Sequence, residues 1–481
     1  MINFRKLVRE YGILDAVYQA LLSIKDFLWD YLLIFLLCGT GIYFTVRLRF
    51  VQLRKFKEGA RTVFGGFRLK GAAAGKEGMS PFQSLATAVA AQVGTGNIAG
   101  AASAIAAGGP GAIFWMWISA FFGMATIYSE ASLAQKYKAR DEDGEVTGGP
   151  VYYIKAAFQG KFGTFLAGFF AVSLILALGF MGNMVQSNSI GNAFETAFHL
   201  PGWAVGLGLA IAAAFVFVGG VKRLASVTEK IVPIMAILYV AGSLLVIGLN
   251  YTHIWPAVSS IFVGAFQPQA VGGAIVGVAL KTAIQKGVAR GLFSNEAGMG
   301  STPHAHALAK VEHPCDQGAV AMVGLFIDTF VVLTMTALVI LTSNSWAAQY
   351  LADGPGKTDA AALAQSAFQD TLGDAGLWFI AVCMLFFAFS TIVSWYTFGK
   401  INVQKLFGKR ALFIYSVLAV VFVFAGALVK VDFVWNMSDL FNGLMVIPNL
   451  VGVLALSGVV CRLDKEHDLL KKTRKKQRTT D

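Results

Sequence analysis

Long apolar runs alternate with short polar segments along almost the whole chain. Eleven of these runs are long enough for a helix that crosses a hydrocarbon core of about 30 Å. A helix suits such a run because it satisfies its backbone hydrogen bonds internally. We therefore predict an all-α integral membrane protein. The eleven predicted spans are residues 27–46, 83–107, 112–135, 162–198, 203–219, 231–249, 271–308, 318–343, 375–398, 411–429 and 434–460.

Lysine and arginine are concentrated in alternate polar segments. The segment 47–77 holds nine of them, whereas the loop 344–373 holds one lysine and three aspartates. Because cytoplasmic loops carry an excess of Lys and Arg, we expect the N-terminus outside the cell and the C-terminus in the cytoplasm. The other segments predicted to be cytoplasmic are 136–161, 221–230, 309–317, 399–410 and the tail 462–481, of which only 309–317 is not basic.

The ten spans after the first divide into two sets of five. Because five is odd, the second set would enter the membrane from the opposite side, as in inverted-repeat transporters. We predict a first repeat over residues 81–250 and a second, inverted repeat over residues 268–461. An N-terminal span with its basic loop, residues 1–80, precedes them, and a basic tail, residues 462–481, follows.

The leading span of each predicted repeat contains a glycine-rich interruption. The first is QVGTGNIAG at 92–100, and the second is SNEAGMGSTP at 294–303. A dinucleotide-binding loop would need a preceding strand, but both runs lie in apolar helical surroundings. Backbone groups freed in lipid are costly unless they line a cavity or meet a ligand, so the breaks favour a solute site. A close helix crossing through small residues is the alternative.

The first break offers both hydrogen-bond donors and acceptors. The freed N–H groups of Thr95 and Gly96, at the start of the following half-helix, suit a carboxylate. The freed carbonyl groups of Ala90 and Val93, at the end of the preceding half-helix, suit a hard cation such as sodium. Asn97 adds a side-chain carbonyl oxygen.

Two further spans carry polar residues at helical spacing, one of them around Gln186. In the other, FFAFSTIVSWYTFGK, Ser390, Thr391 and Ser394 share a face, and Trp395 follows Thr391 by four residues. Hydroxyl groups there could complete a cation site, and the indole could form a pocket wall. Alternatively, the hydroxyl groups bond to carbonyls of their own helix, and the tryptophan anchors the helix at the membrane interface.

Three of the carboxylates inside predicted spans are candidate functional groups, because a carboxylate there is costly unless it faces a cavity or a partner. Glu296 in the second break could be a cation ligand, a proton acceptor or the partner of Arg290 or Lys286. Glu130 and Asp328 are candidates for helix pairing or gating.

The composition excludes several classes of protein. Only 14% of the residues are charged, against about 25% in soluble domains. The net charge of +12 lies largely in the flanks of spans, so nucleic-acid binding is disfavoured. The four cysteines form no CxxC motif, and His304 and His306 are two positions apart on a helix. These patterns indicate neither a disulfide framework nor a zinc site.

The run GGPGAIFWMWISAFFG at 108–123 resembles the signature of the alanine or glycine:cation symporter family, also called sodium:alanine symporters. QVGTGNIAG, TGGPVYYI at 147–154 and GLFSNEAGMGSTPHAHA at 291–307 are similar to that family as well. The resemblance covers nearly the whole chain. It implies a cell-membrane importer of alanine, glycine or another small neutral amino acid, with sodium as coupling ion and no cofactor. The implied fold is the LeuT-like 5+5 inverted repeat of the amino acid–polyamine–cation superfamily with one added span.

The run VGTGN is also similar to the first core helix of neurotransmitter:sodium symporters. The substrate-binding residues that these resemblances imply are Thr95, Gly96, Asn97, Gln186, Thr391 and Trp395. The implied sodium site combines the carbonyls of Ala90 and Val93 with hydroxyls of Ser390 and Thr391, or of Thr391 and Ser394. No carboxylate occurs in QVGTGN, which leaves open what balances the ammonium group of the substrate.

Other functions stay open at this stage. Proton coupling would use Glu296 or Glu130 as carrier. An ion channel would need a continuous polar pore, which sparse ionisable residues and localised breaks disfavour. A membrane-embedded enzyme would need a catalytic cluster that the spacing of the polar residues does not supply.

Overall fold

The fold is almost entirely helical. A computed structural model of the chain describes residues 4–65, 78–266, 280–343, 346 and 360–480. The sheet found in this part of the chain is a two-stranded antiparallel hairpin, Ala139–Arg140 with Val146–Thr147. Its turn is closed by Asp141, whose Oδ1 accepts from the N–H groups of Asp143 and Glu145. The all-helical prediction is thus confirmed except for this hairpin, because a turn that bonds to itself leaves no periodic apolar signal.

Up to residue 266, the described residues form five α-helices before the first glycine-rich break and eight after it, together with three π-helical segments. These π-helical segments are Leu28–Leu32, Gly96–Gly100 and Ile175–Gly182. The α-helices are Phe4–Phe27, Leu33–Arg47, Val51–Arg54, Phe56–Gly65, Pro81–Gln92, Ala101–Gly108, Gly111–Lys136, Pro150–Ala157, Gly160–Leu174, Asn183–Phe198, Gly202–Val218, Gly220–Leu249 and Tyr251–Phe266.

From residue 280 onward the described chain is again helical. One segment, Ile327–Leu333, is π-helical and lies within a longer span. The α-helices are Leu280–Asn295, Pro303–Ala307, Pro314–Phe326, Thr334–Thr342, Ala360–Leu372, Asp374–Phe407, Ala411–Gly426, Val431–Ala455 and Ser457–Thr480.

Seven continuous helices in the described part of the chain are long and apolar enough to cross a membrane. They contain from 24 to 39 residues, and each overlaps a predicted span. Two shorter apolar helices coincide with the predicted spans 203–219 and 411–429. The long helices are Asp15–Arg47, Gly111–Lys136, Gly160–Phe198, Arg223–Leu249, Pro314–Thr342, Asp374–Phe407 and Asp432–Ala455, and the shorter ones are Gly202–Val218 and Ala411–Gly426.

Helices also cover segments that lie outside the predicted spans. The predicted loop 221–230 belongs to the helix Gly220–Leu249, and Tyr251–Phe266 forms a further helix. It has 16 residues and lies between two predicted spans. It packs closely on Gly111–Lys136, because a Cβ atom at Gly111 would lie 2.1 Å from the carbonyl oxygen of Gly264.

The predicted basic tail is also helical, as Ser457–Thr480, which we call the tail helix. Asp464 fixes it to the segment between the first two spans. Its carboxylate lies 2.8 Å from Arg54 Nη2 and 3.0 Å from Lys55 Nζ, and Tyr128 Oη donates to it at 2.9 Å. The tail helix is therefore held against the rest of the protein by buried ion pairs.

Some predictions lie outside the described residues. These are the start of the second repeat at residue 268, part of the basic loop at 66–77, and half of the loop 344–373, including Asp353, Lys357 and Asp359.

Two large clusters of buried apolar side chains form the core, and the broken helices contribute to both. One contains Val93 and Ile98 from the first break, together with Ile392. The other contains Ala297 from the second break, together with Trp395. The helix Asp374–Phe407 therefore packs between the two breaks.

Candidate substrate and cation site

The first broken helix consists of Pro81–Gln92 and Ala101–Gly108, with Val93–Thr95 and the π-helical Gly96–Gly100 between them. It begins where Ser80 and Gln83 form a capping box ahead of an apolar run. At the break, the Gly94 N–H donates to Asn97 Oδ1 at 3.1 Å, and the Thr95 N–H donates to Gln186 Oε1 at 3.3 Å. Side chains therefore accept hydrogen bonds from two backbone N–H groups that would donate to backbone carbonyls in a continuous helix.

The carbonyl of Ala90, one turn before the break, meets the helix Asp374–Phe407. Thr391 Oγ1 lies 2.8 Å from this carbonyl oxygen and 3.0 Å from that of Phe387. Gly94 permits the approach, because a Cβ atom there would lie 2.5 Å from Thr391 Oγ1. The structure thus brings together two residues predicted for the sodium site.

The two serines beside Thr391 differ in their surroundings. Ser390 Oγ donates to the Phe387 carbonyl at 2.9 Å and lies 3.4 Å from Met235 Sδ. Ser394 Oγ is buried and has no hydrogen-bond partner among the residues that the structure describes. Thr391 with Ser394 is therefore the hydroxyl pair that keeps an oxygen available for a ligand.

The remaining predicted residues of the first break are buried. The Val93 N–H still donates to the Val89 carbonyl at 2.7 Å, so the preceding half-helix ends at Val93. A Cβ atom at Gly96 would lie 3.3 Å from Ser294 Cα, which places this break against the second one. Thr95 Oγ1 has no hydrogen-bond partner within the described chain.

The second broken helix consists of Leu280–Asn295 and Pro303–Ala307. Between them, Glu296, Gly298 and Gly300 have φ angles of 56°, 83° and 79°. This left-handed backbone costs a glycine little but is uncommon for a glutamate. The strain at Glu296 is the kind that persists at functional sites.

Glu296 binds residues other than those the sequence suggested. Trp395 Nε1 donates to its Oε1 at 2.7 Å, and Ser301 Oγ donates to its Oε2 at 2.5 Å. The alternative of an ion pair with Arg290 or Lys286 is wrong, because those side chains lie near other carboxylates. Arg290 lies 3.5 Å from Asp439, and Lys286 lies 3.8 Å from Asp30. The alternative of an interfacial anchor is also wrong for Trp395, which is 4% exposed.

A comparison with known protein families decides the class of the protein. The model of the sodium:alanine symporter family matches residues 14–481. The chain belongs to this family.

Similar proteins of this symporter family align over most of the chain. The sodium/alanine symporter AgcS of Methanococcus maripaludis is 41% identical, over 94% of this chain and 98% of its own length. The probable sodium/glutamine symporter GlnT of Bacillus subtilis is also 41% identical, over 94% and 91%. The putative sodium/proton-dependent alanine carrier protein YrbD of Bacillus subtilis is 36% identical, over 94% and 92%. The chain is therefore a multi-pass membrane transporter and not an enzyme.

Solved structures are more distant from this symporter. A manganese transporter from Eremococcus coleocola is 14% identical, with a TM-score of 0.48 over 78% of this chain and 76% of its own. That likeness is too weak to assign the type of helical fold.

The carboxylates of Glu130 and Asp328 each join a break of the symporter to a neighbouring helix. Glu130 accepts from the Gly298 N–H at 3.0 Å and from Asn449 Nδ2 at 2.6 Å. Asp328 accepts from Asn97 Nδ2 at 2.7 Å. Asn449 was not among the predicted site residues, although an amide in the apolar span 434–460 was an available signal.

The histidines of the symporter have separate partners. His304 Nδ1 contacts the Ser301 carbonyl and its Nε2 contacts Asn402, whereas His306 Nδ1 contacts Gln317. The described residues contain no group of three or more His, Cys, Asp or Glu that could hold a metal ion.

Proposed function

We propose that the protein is a sodium-coupled symporter that imports a small neutral amino acid, alanine or glycine, by alternating access. The observation that carries this proposal is the contact of Thr391 with the Ala90 carbonyl beside the buried hydroxyl of Ser394. Carbonyl and hydroxyl oxygens are the ligands of a hard cation. We assign the sodium ion to Ala90, Val93, Thr391 and Ser394, and leave Ser390 as a weaker candidate.

The substrate carboxylate would bind at the Thr95 and Gly96 N–H groups, with Asn97 beside them. In the structure, the Thr95 N–H donates to Gln186 Oε1. This amide oxygen therefore occupies the position that an oxygen of the substrate carboxylate would take. Substrate would replace this contact and release Gln186. Trp395 then acts through Glu296 and the second break, since its indole N–H is bonded there.

We propose that these residues lie in an eleven-span transporter with an inverted repeat of the LeuT-like type. The seven long and two short apolar helices, together with the two broken helices, make up that number. We propose that the two repeats are residues 81–250 and 268–461. We also propose that the protein lies in the cell membrane, with its N-terminus outside the cell and the tail helix in the cytoplasm. Inward sodium movement would gain about 2.3 kcal/mol per charge per 100 mV from the membrane potential.

Proton coupling is a second candidate, because the buried carboxylates Glu296 and Glu130 both bind the second break. One relative is named a sodium/proton-dependent carrier. Uptake of labelled alanine into liposomes separates the two. We expect concentrative uptake with an inward sodium gradient and none with a potassium or pH gradient alone. Uptake driven by the pH gradient would indicate proton coupling through Glu296 or Glu130. The absence of uptake under any gradient would refute alanine as substrate.

A further inference from the structure

Asp328 lies where the two broken helices meet, and its carboxylate is fully buried. Asn97 Nδ2 of the first break donates to its Oδ1 at 2.7 Å and to its backbone carbonyl at 3.1 Å. Ser294, in the last turn of the first half of the second broken helix, donates to Oδ2 at 3.3 Å. Thr329 Oγ1 completes the set at 2.8 Å. One carboxylate thus joins both breaks.

The orientation of the Asn97 amide indicates an accepting, ionised carboxylate. Asn97 Oδ1 is held by the Gly94 N–H, so Nδ2 is the atom that faces Asp328. A donor-to-acceptor distance of 2.7 Å is typical of charge-assisted bonds. The π-helical turn Ile327–Leu333 carries the aspartate, and π-turns inside α-helices recur at functional sites.

The partners that the described residues supply to Asp328 are all neutral: Asn97, Ser294 and Thr329. An ionised carboxylate buried in a membrane is costly unless a positive charge balances it. The other buried acidic groups on spans include Asp439, which has Arg290 at 3.5 Å. Asp328 therefore has the geometry of an anionic ligand for a cationic group.

Further oxygen atoms lie at the same junction. Gln92 Nε2 donates to the Asn295 carbonyl at 2.8 Å, while Gln92 Oε1 is buried without a hydrogen-bond partner in the described chain. That oxygen lies 3.4 Å from the Cβ position of Gly324, one turn before Asp328. Thr95 Oγ1 is likewise buried and unpartnered among the described residues. Oxygen acceptors and one negative charge suit a monovalent cationic group.

We propose that Asp328 is the anionic group of the transport site and binds a monovalent cationic group at the junction of the two breaks. This inference rests on the proposed function. Two sources share this chemistry: the α-ammonium group of the amino acid and a second sodium ion. Asp328 would thereby supply the carboxylate that QVGTGN itself lacks.

The test compares wild type, Asp328→Asn and Asp30→Asn in liposomes, with alanine uptake measured across sodium concentrations. Asp30→Asn also removes one carboxylate from a span, but that side chain is 37% exposed, and we expect no change. If the ammonium group is bound, Asp328→Asn weakens alanine affinity about 100-fold or more, as expected for breaking a buried charge pair. Competition by propionate, which lacks the ammonium group, then stays unchanged.

If a second sodium ion is bound, the Hill coefficient for sodium falls by about one, because it is limited by the number of sites. Unchanged alanine affinity together with an unchanged Hill coefficient overturns the proposal and makes Asp328 a neutral structural group. Thermal unfolding with and without alanine and sodium separates loss of binding from loss of fold. If Asp328→Asn does not fold, Asp328→Glu is used instead, because it keeps the negative charge. We expect this variant to retain sodium-dependent alanine binding. A folded Asp328→Glu variant that has lost sodium-dependent alanine binding overturns the proposal. Absent uptake by wild type would instead contradict the proposed function.

Discussion

At the scale of single residues, the contacts of Thr391 and Gly94 define the candidate cation site. Thr391 reaches the Ala90 carbonyl because residue 94 lacks a side chain. The sequence predicted the carbonyl and the hydroxyl separately, from a break and from a polar face. It could not show that they meet, because 301 positions separate them in the chain.

Thr391→Ala removes one oxygen from the proposed sodium site. A hydrogen bond or ligand contact to a charged group contributes about 1.5–3 kcal/mol, so the half-saturating sodium concentration should rise about 10-fold to 100-fold. Thr397→Ala is the matched control, because Thr397 Oγ1 is buried two positions beyond Trp395 and bonds to the Val393 carbonyl of its own helix at 2.9 Å. Sodium titration of alanine uptake compares the two, and an unchanged sodium requirement in Thr391→Ala would remove this residue from the site.

Gly94→Ala tests the same site through its neighbour. The added Cβ atom would lie 2.5 Å from Thr391 Oγ1, so the hydroxyl must turn away from the Ala90 carbonyl. We expect a loss of sodium affinity of about tenfold or more, as for removal of that oxygen. Gly100→Ala in the same broken helix meets no atom within 4 Å and should transport normally. Equal behaviour of the two variants would contradict the close approach seen at Gly94.

At the scale of elements, the tail helix is the least expected part of the structure. Its residues are mostly polar, so apolar periodicity gave no sign that it packs. What holds it is charge: Asp464 with Arg54 and Lys55, and Asp468 with the same two bases. Burial raises the pKa of Asp468, but the hydrogen bonds and charges of Lys55 and Arg54 outweigh it and lower that pKa below its usual value.

The two aspartates of the tail helix should contribute unequally to stability. The side chain of Asp464 is 3% exposed and that of Asp468 is 32% exposed. Asp464→Asn should therefore destabilise the protein by about 3–5 kcal/mol, the cost of breaking a buried ion pair. Asp468→Asn should cost about 0–1 kcal/mol, as for surface pairs. Melting temperatures of the two variants in detergent compare their stabilities. A larger loss of stability in Asp468→Asn than in Asp464→Asn would contradict the packing of the tail helix.

The helix Tyr251–Phe266 shows a second limit of apolar patterning. Its 16 residues include Pro256, and it follows Gly220–Leu249 after a single residue. Pattern analysis therefore treated it as the link to the next span. Only the contacts reveal its role, since Trp115 Nε1 donates to the Ala265 carbonyl at 3.1 Å. The aromatic residues of the signature run thus serve helix packing.

At the scale of the whole molecule, the two helix breaks could be predicted from composition, and the pairings around them could not. Glycines beside Asn97 and Glu296 in apolar runs identified both interruptions, because polar groups in lipid require a partner or a cavity. The partners of these groups, Asp328 and Trp395, come from distant spans. Tertiary packing determines which residues become partners, and the local periodicity of a single sequence does not contain that information.

Thr391 and Trp395 are four residues apart on one helix, a rise of about 6 Å, and each contacts a different broken helix. Any tilt of this helix moves both contacts together. Under the proposed mechanism, the bond between Trp395 and Glu296 links movement of this helix to the second break. We therefore expect a transporter without that bond to couple its sodium and amino-acid fluxes less tightly, with sodium crossing in the absence of amino acid.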